Sequence, residues 1–141
     1  MMIAVWTNHL SVDNRIIDSA HKNILNVINR AGRLIGSRDV DALTETFGAL
    51  EDSLRAYFEI EERIAQAVNV DFDQHKVVHQ RLLSDFHCMR DILTEKNGRW
   101  SDSEAATLID PWIKCFIRHI KDDEKHMKVV LSGQYYDFQP D

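Results

Sequence analysis

Residues 57–79 read YFEIEERIAQAVNVDFDQHKVVH, and their spacing is the most informative about the architecture of the chain. Tyr57 and Glu61 precede its polar middle, and His75 and His79 follow it. Each pair is four residues apart, so its two members share one face of a helix. If two helices meet at the polar middle, all four side chains lie within about 14 Å of the turn, at a rise of about 1.5 Å per residue. The stretch therefore predicts two antiparallel helices whose inner faces carry polar side chains at one level.

The rest of the chain divides into further helices at clusters of glycine and polar residues. Among its 141 residues are only two prolines and five glycines, and 44% are hydrophobic, which favours long helices over a turn-rich β design. The length suits a single domain, residues 1–141, and short connections make successive helices antiparallel neighbours. We therefore predict an all-α, antiparallel up-down-up-down four-helix bundle. Its predicted elements are an N-terminal arm at 1–11, helices near 12–35, 40–66, 71–95 and 103–131, and a tail at 132–141.

Apolar residues recur at spacings of three and four along each predicted helix, and polar residues interrupt these stripes. His21 interrupts the first stripe, and His119 lies in the fourth, shortly before the acidic run 122–124. In an up-down bundle these polar residues lie at the same end of the bundle as the polar residues of 57–79. The first two stripes are Ile17, His21, Ile24, Ile28, Ala31 and Ile35, then Leu43, Phe47, Leu50, Leu54, Tyr57, Glu61 and Ile64.

The overall charge argues against two classes of partner. The formal net charge is −6, whereas nucleic acids and anionic membranes attract proteins through clustered Lys and Arg. Residues 2–6 are apolar but have no basic leader and no long apolar run, so we expect a cytoplasmic protein with neither signal peptide nor membrane span. Cys88 and Cys115 lack CxxC spacing, which predicts two reduced, packed thiols. We expect a monomer or a weak homo-oligomer.

The gathered imidazoles indicate a metal site. A single buried histidine is ordinarily a hydrogen-bonded core residue. Several imidazoles and a carboxylate inside one bundle are costly to bury unless a partner takes up their lone pairs. Imidazole and carboxylate ligands suit iron, manganese or zinc, and bundle cores with inward Glu and His are recurrent sites for paired iron. The sequence therefore predicts a metal centre in the core.

A series of short motifs resembles the hemerythrin family. The resemblance runs from about Ile3 to Val130. Its motifs follow the family's order and spacing, which makes the set far more specific than any single motif. Trp6 with residues 10–12 comes first, followed by Asp18-Ser19-Ala20-His21, which matches the family's Asp-x-x-His. Residues 58–62 match the last five positions of His-Phe-x-x-Glu-Glu. Residues 75–79 match His-x-x-x-His, and residues 119–124 correspond to His-x-x-x-x-Asp.

The resemblance implies two non-haem iron ions, bridged by carboxylate and by an oxo or hydroxo group. By the same resemblance, His75, His79 and His119 hold one iron. His21 holds the other, and Glu61 bridges the two. Dioxygen or another small diatomic or oxidant is the ligand that the family implies.

Two residues depart from the family pattern: Tyr57 stands where the motif begins with His, and Glu124 stands where it ends with the bridging Asp. Asp123 lies four residues after His119, and Glu124 lies five, so helical periodicity favours Asp123 as the second bridge. The family spacing favours Glu124, which we take as the predicted ligand. Phe116 is predicted to lie beside the ligand pocket and to restrict access to it.

Tyr57 has two interpretations. It is either an aromatic core residue whose hydroxyl finds a hydrogen bond, or a phenolate ligand of the metal. A phenol has a pKa near 10, but a bound ferric ion can stabilise its anion. As a ligand, Tyr57 would favour ferric over ferrous iron and weaken simple dioxygen carriage. We include it among the predicted metal ligands.

The predicted function is that of a hemerythrin-like di-iron protein that binds dioxygen or a related small oxidant for storage, delivery or sensing. A binding protein is favoured over an enzyme. One alternative is a di-iron redox enzyme that turns over peroxide, with Tyr57 tuning the site. The other is a structural bundle with a degenerate metal site. Metal content and steady turnover with an electron donor distinguish the three.

Overall fold

Helix α1 (Arg15–Ser37) begins where Asn14 caps it. The Asn14 side-chain oxygen accepts hydrogen bonds, each 3.0 Å long, from the backbone N–H groups two and three residues later. In the first turn, Asp18 accepts a hydrogen bond from the backbone N–H of Val12 at 2.9 Å, which holds the arm against the helix. These side-chain acceptors explain why the helix starts after the predicted residue 12.

The computed structural model describes residues 4–12, 14–68 and 71–130, without the side chains of residues 8 and 123–130. Within these residues the structure contains no strand, and none of its helices has both the length and the apolar composition needed to cross a membrane. The fold is the predicted all-α four-helix bundle. The predicted tail, 132–141, lies outside the described residues. In chain order the elements are a 3-10 turn (Asn8–Leu10), α1, α2 (Val40–Ala67), α3 (Asp73–Lys96) and α4 (Asp102–Val130).

Local capping also sets the end of α1 and the starts of α2 and α4. Arg38 takes the left-handed conformation with φ of 59°, which ends α1. Asp39 then caps α2, because its side chain accepts the backbone N–H three residues later at 3.2 Å. A capping box begins α4: Ser101 Oγ accepts the Glu104 N–H at 3.1 Å, and Glu104 Oε2 accepts the Ser101 N–H at 3.2 Å.

The predicted stripes form the core. Every predicted stripe member of α1 and α2 is buried. The apolar residues at the same spacings in the last two helices are also buried, with His75 and Leu108 half-buried. Among the buried residues at these spacings are His79, Leu82, Phe86, Met89 and Leu93 in α3, and Trp112, Phe116 and His119 in α4. The agreement follows from the helical period, which brings positions three and four apart to one face.

Two buried indoles connect the helices. Trp100 Nε1 donates a hydrogen bond to the Ile35 carbonyl at 3.1 Å, and Trp112 Nε1 donates to the Leu82 carbonyl at 3.0 Å. Each large ring therefore buries its surface while its only polar atom is satisfied.

The two cysteines lie on the walls of one groove between α3 and α4. The groove has a volume of about 230 Å³, and Met89 and Trp112 also line it. Both thiols are free, as predicted. The prediction that they are packed is wrong, because Cys88 and Cys115 are exposed beside the buried stripes rather than within them.

Candidate metal centre

All four helices bring buried polar or aromatic side chains to one end of the core. His21 comes from α1, Tyr57 and Glu61 from α2, His79 from α3 and His119 from α4. The first three are 0% exposed, and His79 and His119 are 3% and 4% exposed. The antiparallel arrangement predicted from residues 57–79 accounts for this meeting, because α2 ends and α3 begins at the same end of the bundle.

Glu61, His79 and His119 form a compact group of metal-ligand type. Glu61 Oε1 lies 3.1 Å from His79 Nε2 and 3.6 Å from His119 Nε2. One ligand atom from each of the three lies within 4.8 Å of the others. Two donors held about 2.1 Å from one ion, at angles of about 90–120°, are about 3.0–3.6 Å apart. The distances from Glu61 therefore have the spacing of one coordination sphere.

The second oxygen of Glu61 also fits a metal site. Glu61 Oε2 is buried and accepts no hydrogen bond from the residues that the structure describes. A buried carboxylate oxygen without a donor carries a large desolvation penalty. A cation bound to this oxygen would remove the penalty, so the chemistry of Glu61 fits a metal ligand.

The Tyr57 hydroxyl lies against His119. Tyr57 Oη is 3.1 Å from His119 Nε2, a hydrogen-bond distance. The rings of Tyr57 and His21 are also in contact: their centroids are 4.7 Å apart and their planes are inclined by 70°. Tyr57 thus contacts both histidines, and its oxygen is within hydrogen-bond distance of His119.

Burial keeps His21 neutral. Desolvation, followed by the nearby His119, lowers the pKa of His21 to about 3. A neutral imidazole retains a lone pair that can bind a metal ion, whereas a protonated imidazole does not. His21 therefore has the protonation state that a ligand needs.

His75 lies at the margin of the compact group. It is half-buried, its ring meets that of Phe72 edge-on at 4.5 Å, and it lies 6.2 Å from the His119 ring. Among the described residues, the three whose donor atoms converge are Glu61, His79 and His119, without His75.

Aromatic rings surround the histidines, and two of them, Phe58 and Phe72, had no predicted role at the metal site. Phe58 stacks on His79, with centroids 3.9 Å apart and planes 11° apart, and Phe72 meets His79 edge-on at 5.5 Å. Phe116, predicted to line the ligand pocket, is fully buried and lies 6.3 Å from the Tyr57 ring. Phe58 lies inside the 58–62 motif, and this position could have identified it as a residue of the site.

Comparison with known proteins agrees with this geometry. Residues 12–131 match the family model described as the Hemerythrin HHE cation binding domain. The chain belongs to the hemerythrin family. The described core of this hemerythrin-like, metal-binding protein accordingly contains the ligand types that a cation-binding bundle needs.

Curated relatives of this hemerythrin-like protein carry the name Bacteriohemerythrin. One from Pseudomonas aeruginosa is 24% identical over 124 residues, which cover 85% of this chain and 76% of the relative. Another, from Stenotrophomonas maltophilia, is 24% identical over 126 residues, which cover 89% of this chain and 79% of the relative. No solved structure matches the chain at comparable significance.

The acidic end of the last hemerythrin motif lies in α4. Residues 119–124 are helical, and α4 continues to Val130. The prediction that Glu124 is a ligand, and its alternative Asp123, concern side chains outside those that the structure describes. Both therefore stay predictions.

Proposed function

We propose that this protein holds two non-haem iron ions, bridged by carboxylate and by an oxo or hydroxo group, and binds dioxygen or a related small oxidant for storage, delivery or sensing. The observation that carries this proposal is the buried convergence of Glu61, His79 and His119. When bound, paired iron supplies electrons to a small oxidant. The side chains of the chain hold the ions, exclude water and limit what can approach.

The ligand assignment follows the geometry where side chains are described and the family motifs elsewhere. Donor spacing supports His79 and His119 at one position. The second Glu61 oxygen and the neutral His21 support a second iron position. The proposed ligands are His21, Tyr57, Glu61, His75, His79, His119 and Glu124.

The surroundings of the site favour a small uncharged ligand. Phe58 and Phe116 are buried, and together with Tyr57 they place aromatic carbon around the histidines. A molecule that reaches the ions meets apolar walls, and desolvating a charged substrate against such walls is unfavourable. Dioxygen and small peroxides meet this requirement better than large or ionic substrates.

Iron content and an oxygen-dependent spectrum test the proposal. The full chain is loaded with ferrous iron under nitrogen, and its iron per chain and visible spectrum are measured before and after air is admitted. We expect about two irons per chain and a new band on exposure to oxygen. One iron, zinc in preference to iron, or no bound metal would overturn the proposal in favour of a degenerate site.

The contact between Tyr57 and His119 supports a second candidate, a di-iron redox enzyme. A tyrosine beside the metal position can tune its potential or relay an electron. Steady consumption of hydrogen peroxide with an added electron donor, lost in Tyr57→Phe, would establish the enzyme. One stoichiometric oxidation per centre, with no further turnover, would contradict it and favour the binding protein.

A further inference from the structure

The position of Tyr57 differs from what its place in the motif implies. In the family pattern, residue 57 belongs with the iron held by His21 rather than with the iron held by the other histidines. In the structure, the Tyr57 and His21 ring centroids are 4.7 Å apart, and the Tyr57 oxygen lies 3.1 Å from His119 Nε2. The tyrosine oxygen therefore lies beside His119, which the family motifs assign to the other iron.

The nitrogen that Tyr57 contacts is the one that His119 directs to the compact group. His119 Nε2 lies 3.6 Å from Glu61 Oε1 and 3.1 Å from Tyr57 Oη. Both separations fall within the range of about 3.0–3.6 Å for donors that share one ion. The distance between Tyr57 Oη and His119 Nε2 is therefore the distance expected between two ligand atoms of the same ion, with Tyr57 as the fourth ligand.

Metal binding changes what the Tyr57 contact can be. A neutral imidazole nitrogen that gives its lone pair to a cation can neither donate nor accept a hydrogen bond through that atom. The 3.1 Å contact therefore cannot persist as a hydrogen bond once His119 Nε2 holds an ion. Coordination of the tyrosine oxygen to the same ion replaces it with little movement of either side chain.

We propose that Tyr57 binds, as phenolate, the iron position formed by Glu61, His79 and His119, and makes that position selective for ferric iron. Binding forms one Fe–O bond and breaks the phenol O–H bond, and the proton is released to solvent. Phenolate and carboxylate together bring two negative charges, which favour the trivalent ion over the divalent one. The two iron positions are then unequal, because the phenolate belongs to one of them.

This inference rests on the proposed function, since it requires iron at the site, and the spectrum of the ferric protein tests it. The chain contains three tyrosines, Tyr57, Tyr135 and Tyr136, so the double variant Tyr135→Phe/Tyr136→Phe keeps Tyr57 as the only phenol. We expect this variant and the unaltered chain to show the same phenolate-to-iron charge-transfer band. Tyr57→Phe should lose the band, keep its iron and show a higher midpoint potential.

Resonance Raman spectroscopy makes the test independent of how well Tyr57→Phe folds. In the double variant, ring-deuterated tyrosine labels Tyr57 alone, and we expect its phenolate modes to shift under excitation in the charge-transfer band. Bound iron without phenolate modes would overturn the inference and leave the proposed function standing. A chain that binds no iron at all would overturn both.

Discussion

One half of the bundle core buries hydrocarbon, whereas the other half buries imidazoles and a carboxylate. In the apolar half, the rings of Phe47, Phe86 and Trp112 pack against one another, and the adjoining cavity has a volume of only about 10 Å³. In the polar half, Glu61 and His21 are fully buried. Close apolar packing stabilises the fold, while buried polar groups reduce stability unless a partner satisfies them. The comparison indicates that stability and metal chemistry are separated along the helices.

Phe86→Ala should have the largest effect on stability. Phe86 is 0% exposed and packs edge-on against Phe47, so its removal leaves a cavity. We expect the free energy of unfolding to fall by about 3–5 kcal/mol, measured by urea denaturation. Iron bound per folded chain should stay unchanged. A loss of iron in chains that are still folded would contradict the separation of the two halves.

Acid should destabilise the metal-free protein through His21. Its pKa is lowered to about 3 in the folded state, against an ordinary value of 6.5, so the unfolded chain binds more protons between these values. The stability associated with neutral His21 is therefore present above pH 6.5 and is lost as the pH falls toward 3. We expect a loss on the order of 2–4 kcal/mol between pH 7 and pH 4.

Urea denaturation of the metal-free chain at several pH values measures this dependence. His21→Gln serves as the comparison, because it removes the titrating group and keeps a polar side chain. Its stability should fall less steeply over the same window. Equal slopes for the two proteins would show that His21 is not the group responsible.

Glu61→Gln should separate metal binding from folding. The substitution keeps the shape and removes the charge, so we expect metal affinity to fall by at least about tenfold, or about 1.4 kcal/mol. The metal-free protein should be as stable as before or more stable, because a buried amide is cheaper to desolvate than a carboxylate. Metal titration and urea denaturation measure the two quantities.

Glu59→Gln is the matched control for Glu61→Gln. Glu59 lies on the same helix but is 63% exposed and pairs with Arg63 on the surface. Its substitution should leave metal affinity unchanged. An equal loss of affinity in both variants would mean that general charge, rather than coordination by Glu61, attracts the metal.

Ser101→Ala should have the smallest effect of the series. It removes the Oγ that accepts the Glu104 N–H at the start of α4. We expect thermal denaturation to report a loss of about 1 kcal/mol. Iron content should not change, because the cap lies far along α4 from His119. A change in iron content would show that the start of α4 controls the metal position.

Periodicity predicted most of the fold. The stripes of α1 and α2 are buried as predicted, because helical geometry fixes which side chains share a face. The starts of α1 and α2 depend on the side chains of Asn14 and Asp39, which bond to specific N–H groups. A hydrophobic pattern does not register such caps, so it locates a helix end only to within a few residues.

The candidate site was less predictable than the fold. The spacing of Glu61 and His79 from the turn between α2 and α3 predicted that both lie at the same height in the bundle. The distances between side chains on different helices depend on how the helices pack. The contact of Tyr57 with His119 and the stacking of Phe58 on His79 both arise between helices. The exposure of Cys115 was also missed, although it directly precedes the buried Phe116.

The three converging donors are far apart along the chain. Glu61 lies in α2 and His79 in α3, but His119 lies in α4, near the end of the described residues. A ribosome that adds about 5–20 residues per second needs several seconds to travel from Glu61 to His119. The nascent chain therefore cannot offer the complete group to an ion until most of the bundle has been synthesised. The complete group can therefore bind a metal ion only after the ribosome has translated α4 as far as His119.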